Sequence, residues 1–386
     1  MWLLELEADR LRNLDAVSLK LPAGLTLLNG RNGQGKTSIL EAIYLLGTAR
    51  SFRTRRIDDL VSWHGGPLRV AGHVDGLRGE HRLKVILDRS ERRITVDDGE
   101  VELVDLIGRL DVVDLTAERM KVLRDGPDER RRFLDRGLVG IDPTFLRLLG
   151  EYRRTLQQRN ALLKSRSSAD PGNWPQMDAW DQRLVPVAAE IHRRRRQYAM
   201  GLGAELAEIG RMLLEGRELT LHYRPSPAAS LERDVGQFAE VLAAALQRTR
   251  GRDAAVRHTT RGPHRDDFVV EMDGVDLRRF GSAGQVRAAM VALKLAKLAR
   301  LKQDRGEAPI FLIDDFDSDL DDRRAAALAR YLHDGGFQTV VATSKAETFD
   351  SLDVPFHAVD VYEGKARPLP PRPPGEDPPE GLDLES

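Results

Sequence analysis

Short apolar runs dominate residues 1–115: Leu3–Glu7, Leu25–Leu28, Leu68–Val74, Arg82–Leu87 and Arg93–Val96. Runs of this length, bounded by Gly, Asn and Asp, predict strands, and Ser38–Leu46 among them predicts one clear helix. From Thr116 to Arg250 the pattern changes to long charged segments with apolar residues at helical spacing, broken by the turn-rich SRSSADPGNWPQ at Ser165–Gln176. Two antiparallel helices joined by that loop are expected to form an arm. Beyond Thr259 the β/α pattern returns, with a strand over Phe268–Met272, a helix over Ala283–Lys302 and a buried strand over Ile310–Ile313. That helix carries Val286, Met290 and Leu293 on one side and Arg287, Lys294 and Lys297 nearer the other, as a helix half-covered by a sheet requires. From Ala366 the chain is rich in proline, acidic towards its end and poor in large apolar groups, which predicts an unfolded tail. The expected organisation is an α/β head over 1–115 and 251–365, split by a mostly helical insertion over 116–250 and followed by the tail 366–386.

Composition narrows the function classes. Sixty basic side chains against 61 acidic ones leave a formal charge of -1, so any grip on nucleic acid has to come from local basic surface. With no cysteine the chain forms neither disulfides nor thiolate metal sites, which fits a reducing compartment. No stretch approaches the ~20 apolar residues of a membrane helix, and the opening MWLLELEADRLRNL is acidic where a signal peptide is basic. A soluble, cytoplasmic protein is the expectation.

The chemistry begins at GRNGQGKT, Gly30–Thr37, between the run Leu25–Leu28 and the helix-forming Ser38–Leu46. This is the G-x-x-x-x-G-K-[ST] pattern of a phosphate-binding loop, and the strand before and helix after favour it over an ordinary glycine-rich turn. Gly30, Arg31, Asn32, Gly33, Gln34, Gly35, Lys36, Thr37 and Ser38 make the cradle. Its glycines let the backbone wind around a polyphosphate, Lys36 reaches the outer phosphates, and the Thr37 hydroxyl suits a magnesium ion. A second element is PIFLIDDFDSDLD, where Ile310–Ile313 ends in Asp314 and Asp315. Ligands of open α/β sheets sit at the carboxyl edge of the strands, so Asp314 is assigned to the metal opposite Thr37 and Asp315 to the attacking water. The alternative is an acidic, solvated strand-end turn. Between the two lies RRFGSAGQVR, Arg278–Arg287, whose small residues around Ser282 and Gly284 precede a helix start. Such a turn either grips a second anionic group, the γ-phosphate on a neighbouring subunit, or is a plain helix cap by Ser282.

These elements, in this order, resemble the ATPase head shared by transporter ATPases and structural-maintenance-of-chromosomes (SMC) proteins. LRNL at Leu11–Leu14, ARSFRT at Ala49–Thr54, GPDERRRFLD at Gly126–Asp135, QRNALLK at Gln158–Lys164, TTRGPHRDDF at Thr259–Phe268 and SDLD at Ser318–Asp321 resemble the bacterial RecF family of DNA replication and repair proteins, over about residues 1 to 365. The resemblance implies a head that binds ATP and Mg2+, dimerises around two nucleotides and holds DNA until slow, DNA-stimulated hydrolysis releases it. It implies that Ser282, Gly284 and Gln285 form a signature loop acting in trans and that Ser318, Asp319 and Asp321 lie at the dimer seam. It implies too that the arm is the family's second, mostly helical domain, and it adds RecO, RecR and the RecA recombinase as partners at gapped DNA.

For DNA itself the expected contacts are local arginines, namely Arg53, Arg55 and Arg56 after the nucleotide helix and Arg194 in the run Arg193–Arg196. A solvated or salt-bridged face is the alternative for each cluster. His264 in GPHRDD either touches nucleotide or holds a turn. Asp114–Met120 lacks the proline-acidic-acidic turn and glutamine expected of the loop coupling nucleotide to arm, and Phe316 and Asp317 replace a smaller, apolar pair before SDLD. A rival reading is a divergent head-and-arm ATPase outside recombination, in defence or in a protein complex without DNA. A transporter ATPase predicts a coupling glutamine and a switch histidine, and the sequence shows neither; a P-loop kinase predicts a basic lid and a phosphoacceptor site but not SDLD or the signature turn.

Overall fold

The computed structural model describes residues 1–54, 56–61, 66–88, 91–116, 122–165, 175–214, 216–228, 235–314, 322–344 and 354–370. The chain opens with β1 (Trp2–Leu11), β2 (Leu14–Lys20), β3 (Leu25–Asn29), α1 (Lys36–Thr48), β4 (Leu68–Gly76), β5 (Gly79–Asp88), β6 (Glu91–Val96), β7 (Gly99–Glu100), α2 (Leu103–Leu106) and β8 (Val112–Leu115). Then come α3 (Pro127–Ile141), α4 (Thr144–Ser165), α5 (Pro175–Leu213), β9 (Leu219–Arg224), α6 (Val235–Val256), β10 (Asp267–Met272), β11 (Val275–Asp276), α7 (Leu277–Phe280) and α8 (Ala283–Arg305). The chain closes with β12 (Ile310–Asp314), α9 (Asp322–Asp334), β13 (Thr339–Thr343), β14 (Phe356–Tyr362) and β15 (Lys365–Pro368). Two compact units result, one of Met1–Arg119 with Gly306–Ser386 and one of Met120–Arg305.

In the first unit one sheet is antiparallel, in the order β2-β1-β4-β5-β6-β7, and the other runs β15-β14-β3-β13-β12-β8. All pairs of the second sheet are parallel except β14 with β15. Its inner strands β12 and β13 are apolar and buried almost throughout, as strands covered on both faces must be. Helix α1 lies between the sheets, touching β1, β4 and β5 of one and β8, β12 and β13 of the other. That position explains its composition: a helix apolar on every side belongs in a core, and from Ser38 to Gly47 every residue is buried. Buried Gln338 links the sheets, accepting from the Leu3 N–H at 2.7 Å and donating to the Leu3 carbonyl at 2.9 Å. The parallel register brings Asp314 level with Ala342, and Ala342 level with Leu28, so β12, β13 and β3 end on one edge.

The second unit is built around the 39-residue α5, which packs against α4, α6, α8 and β9. Its sheet is small and antiparallel, in the order β11-β10-β9. Two expected boundaries move. Residues 251–305 belong to this unit and not to the second half of the head, because β10 pairs with β9 and α8 lies along α5. The tail does not begin at Ala366, because β15 pairs that residue with Val361 of β14. Residues 371–386 and the expected arm loop at 166–174 lie outside the described residues. Among the described residues no helix is long and apolar enough to cross a membrane.

Candidate nucleotide site

The cradle between β3 and α1 has positive φ at Gly30 (153°), Gly33 (85°) and Gly35 (114°). Gly35 immediately precedes α1, whose start has neither a side-chain cap nor an acidic residue in its first turn. Its leading N–H groups and its dipole are thereby left for an anion. At Gly30 a Cβ atom would stand 2.3 Å from the Val361 carbonyl oxygen, so the strand β14 passes too close for any side chain there. Lys36 is buried, and its ammonium folds back to donate to the Gly30 carbonyl and, at 2.9 Å, to the Arg31 carbonyl. A cation held inside the loop by two neutral acceptors is placed to exchange them for phosphate oxygens, a stronger, charge-assisted contact.

Sheet topology then joins residues far apart in sequence. The Thr37 hydroxyl donates to Asp314 Oδ1 at 3.0 Å, across 277 positions. Both are hard oxygen donors, and among the described residues no group of three or more His, Asp or Glu side chains forms a cage for a metal. Two protein oxygens beside a phosphate cradle fit magnesium, which keeps waters and takes ligands from its nucleotide, better than they fit a metal held by protein alone. Asp315, Ser318, Asp319, Asp321, Phe316 and Asp317 lie outside the described residues, as do residues 117–120 of the expected coupling loop Asp114–Met120.

The cradle is braced from two sides by residues the sequence reading did not assign. Gln34 Oε1 accepts from the Glu363 N–H at 2.6 Å and its carbonyl accepts from the Gly364 N–H at 2.9 Å, so the β14–β15 turn clasps the loop. From the β1–β2 turn, Asn13 Nδ2 donates to the Gly33 carbonyl at 3.0 Å and Asn13 Oδ1 accepts from the Ser38 hydroxyl at 2.7 Å. The preceding Arg12 pairs through two nitrogens with Glu41, a carboxylate with no solvent exposure on α1. The available signal was LRNL itself, together with the lone acid in the otherwise apolar helix.

A model of the RecF/RecN/SMC N-terminal domain matches residues 2–366. The chain belongs to the RecF family. It is 34% identical over 351 residues to the DNA replication and repair protein RecF of Trichlorobacter lovleyi, covering 90% of this chain and 93% of that one. It is 36% identical over 354 residues to the RecF of Myxococcus xanthus, covering 89% and 91%. A solved structure described as the recombination mediator protein RecF-ATP in the RecFOR pathway superposes with a TM-score of 0.85 at 29% identity, covering 95% of this chain and 99% of that one. The Smc head bound to the C-winged helix domain of ScpA superposes with a TM-score of 0.56 at 15% identity over 96% and 97%, which speaks for the α/β ATPase-head fold alone.

Three RecF motifs converge inside the second unit, where they build buried ion pairs. Arg130 of GPDERRRFLD binds Asp267 through two nitrogens, at 2.5 and 3.0 Å. Arg195 bridges Asp135, at 2.9 and 3.0 Å, and Asp266, at 2.9 Å. Arg159 of QRNALLK reaches Asp181 at 2.7 Å, Asp253 at 3.0 Å and the Thr259 hydroxyl at 2.8 Å. Burial pushes the Asp266 carboxyl above its usual value, with the Arg195 guanidinium and the Tyr223 hydroxyl working against that push. His264 holds a turn: its ring nitrogens meet the Tyr152 hydroxyl at 2.7 Å and the Thr259 carbonyl at 2.9 Å, and burial pushes it down to about 4.

At the expected signature loop, the Ser282 oxygen accepts from the Gln285 N–H at 3.2 Å and Gln285 Oε1 accepts from the Ser282 N–H at 2.9 Å. That is a reciprocal cap on α8, and it leaves Ser282, Ala283 and Gly284 at the surface, with open space around Gly284. Of the arginines expected at DNA, Arg53 and Arg56 are exposed and Arg55 lies outside the described residues. Arg194 fits poorly, because Glu190 at 2.6 Å and Asp142 at 2.5 Å already compensate its charge. Four successive arginines on a helix face different ways, which is why Arg195 is buried while Arg193 pairs at the surface with Glu190.

Proposed function

We propose that this chain is an ATP-dependent DNA clamp of replication and recombinational repair, closing as a homodimer on ATP and opening on slow, DNA-stimulated hydrolysis. The observation that carries this reading is the Thr37–Asp314 contact at 3.0 Å, which puts a hydroxyl and a carboxylate beside the cradle of a phosphate loop. The names of its relatives, DNA replication and repair protein and recombination mediator with ATP, support it. Lys36 would leave the loop carbonyls for the outer phosphates, and the leading N–H groups of α1 would hold the rest of the chain of phosphates. Thr37 and Asp314 hold magnesium, which when bound neutralises charge on the phosphate oxygens. Asp315 orients the attacking water. From a second copy, Ser282, Gly284 and Gln285 address the γ-phosphate, and Ser318, Asp319 and Asp321 line the seam. Gapped duplex DNA is the substrate of the closed state, and the RecO and RecR mediators with RecA recombinase are the partners that act there.

Sedimentation of the full chain with and without ATP, magnesium and a gapped duplex tests this. A dimer that needs ATP, retains DNA and is lost in Lys36→Met is the expected result. A chain that stays monomeric at saturating ATP and magnesium, or a Lys36→Met protein that dimerises like the parent, overturns it.

A further inference from the structure

Strand β8 ends beside the nucleotide cradle in two polar residues that have no part in the reaction as described so far. Asp114 and Thr116 are 3% and 1% exposed. In the parallel pairing with β12, Asp114 lies level with Leu312 and Leu115 with Ile313, so Thr116 comes level with Asp314 at the carboxyl edge. Side chains along a strand alternate between the two faces of the sheet, and level neighbours share a face. Val112 faces α1, because a Cβ atom on Gly47 of that helix would stand 2.8 Å from its Cγ2. Asp114 and Thr116, two and four residues on, therefore face α1 as well. On β12 the α1 face carries Ile310 and Leu312, packed in one core with Ile39 and Ile43, and then Asp314, which accepts from the Thr37 hydroxyl at 3.0 Å.

The helix brings its own hydroxyl to the same level. From Gly47 back to Thr37 it covers about 15 Å, a length that a strand covers in about four or five residues. Counted from Leu110 and Val112, which meet Gly47, that distance ends near Thr116. Thr37, Asp314 and Thr116 thus lie in one strip between the sheet edge and the first turn of α1.

The Thr116 hydroxyl donates to Asp114 Oδ2 at 3.4 Å. With its one proton committed there, the oxygen meets any other partner as an acceptor. Neighbouring strands stand about 4.8 Å apart, which suits a water joining two groups by bonds of about 2.8 Å. Magnesium keeps several of its waters, and the groups that accept from its ligands fix their orientation.

We propose that Thr116 is a positioning residue of the magnesium site, its oxygen accepting from a water on the metal held by Thr37 and Asp314. Asp114 stands behind it, setting the direction of the hydroxyl and adding a carboxylate to the field that draws the cation. This rests on the nucleotide and magnesium reading above and extends the same site to a third strand segment.

The test is titration of the full chain with a fluorescent ATP analogue in magnesium and in EDTA, with Mn2+ binding to the nucleotide complex followed by electron paramagnetic resonance. Thr116→Val keeps the shape and removes the acceptor. It is expected to bind the analogue like the parent in EDTA, while affinity for Mn2+ falls about tenfold, as loss of a partner that supports a metal ligand does. Thr116→Ser, which restores the hydroxyl, is expected to return to within about twofold of the parent. Asp114→Asn removes charge at nearly constant volume and is expected to weaken Mn2+ several-fold; it serves also if Thr116→Val does not fold. Unchanged Mn2+ affinity in Thr116→Val, or in Asp114→Asn where that variant stands in for it, overturns the inference. So does an equal loss of analogue affinity in magnesium and in EDTA together with a lower melting temperature, which marks a merely structural role. Thr37→Val separates the two levels. If it loses Mn2+ while Thr116→Val does not, only the role of Thr116 fails; if the parent itself binds the analogue equally in magnesium and EDTA and takes up no Mn2+, the magnesium reading of the cradle fails first.

Discussion

Replacing Gly30 by alanine tests whether strand β14 sets the shape of the cradle. The new Cβ would lie 2.3 Å from the Val361 carbonyl oxygen, whereas real Cβ atoms keep at least 3.0 Å, so loop and strand must separate by roughly 0.7 Å. The obstacle is backbone, so no rotamer change relieves it, and an overpacked site of this kind costs about 1–3 kcal/mol. A φ of +153° adds a further cost of about 1–3 kcal/mol for a residue with a side chain. Gly33 is the control, because its φ of +85° carries a similar backbone cost but a Cβ there meets nothing within 4 Å. Gly33→Ala is therefore expected to lose about 1–2 kcal/mol, and Gly30→Ala about 2–6 kcal/mol, the sum of the two costs. Thermal denaturation should place Gly30→Ala several degrees below Gly33→Ala, given about 2–4 °C per kcal/mol for a unit of this size. The strand displaced is the one whose turn clasps Gln34, so nucleotide affinity should fall by about 10- to 100-fold, the equivalent of one charge-assisted hydrogen bond. Equal melting temperatures for the two variants, with unchanged affinity for an ATP analogue, would refute the bracing of the loop by β14.

Thr37→Val keeps the shape of the first turn of α1 but removes the hydroxyl; it should weaken nucleotide binding about tenfold with magnesium and little in EDTA, and an equal loss in both would remove the metal from Thr37. His192, buried and stacked on Phe238 at 3.8 Å, is pushed down to about 4 by burial. A base whose folded value lies below its unfolded one of about 6.5 stabilises the fold above that value and loses the contribution as pH falls towards 4, so about 2 kcal/mol goes between pH 6.5 and 5. Urea denaturation of His192→Gln should show a correspondingly flatter pH dependence, and a slope equal to that of the parent would be inconsistent with a neutral buried imidazole. Arg194→Ala should leave duplex affinity within about twofold of the parent, since its charge is met by Glu190 and Asp142; a large loss in a filter-binding assay would return Arg194 to the DNA surface.

Much of the head was legible in order. The apolar runs at Leu3–Glu7, Leu68–Val74 and Arg82–Leu87 all lie within observed strands, and the helix expected at Ser38–Leu46 lies within α1. Local patterning sufficed there because strand and helix periods are properties of neighbouring residues. It failed where an element's partner is remote. Phe268–Met272 was read correctly as a strand but assigned to the head, and only its pairing with β9 places it in the second unit. Local patterning does not record the buried network to which three RecF motifs contribute, because Arg130, Arg159 and Arg195 face carboxylates more than 20 positions away.

The sequence by itself determined the phosphate loop, since its glycines, its lysine and the flanking strand and helix are contiguous and their geometry is local. It determined the family as well, through six separate motifs in a fixed order. Tertiary structure alone decided that Thr37 meets Asp314, that Glu41 is shared by Arg12 and Ser51, and that the β14–β15 turn clasps Gln34. These contacts join segments brought together by parallel strands, and parallel pairing needs long crossovers whose endpoints no local period records.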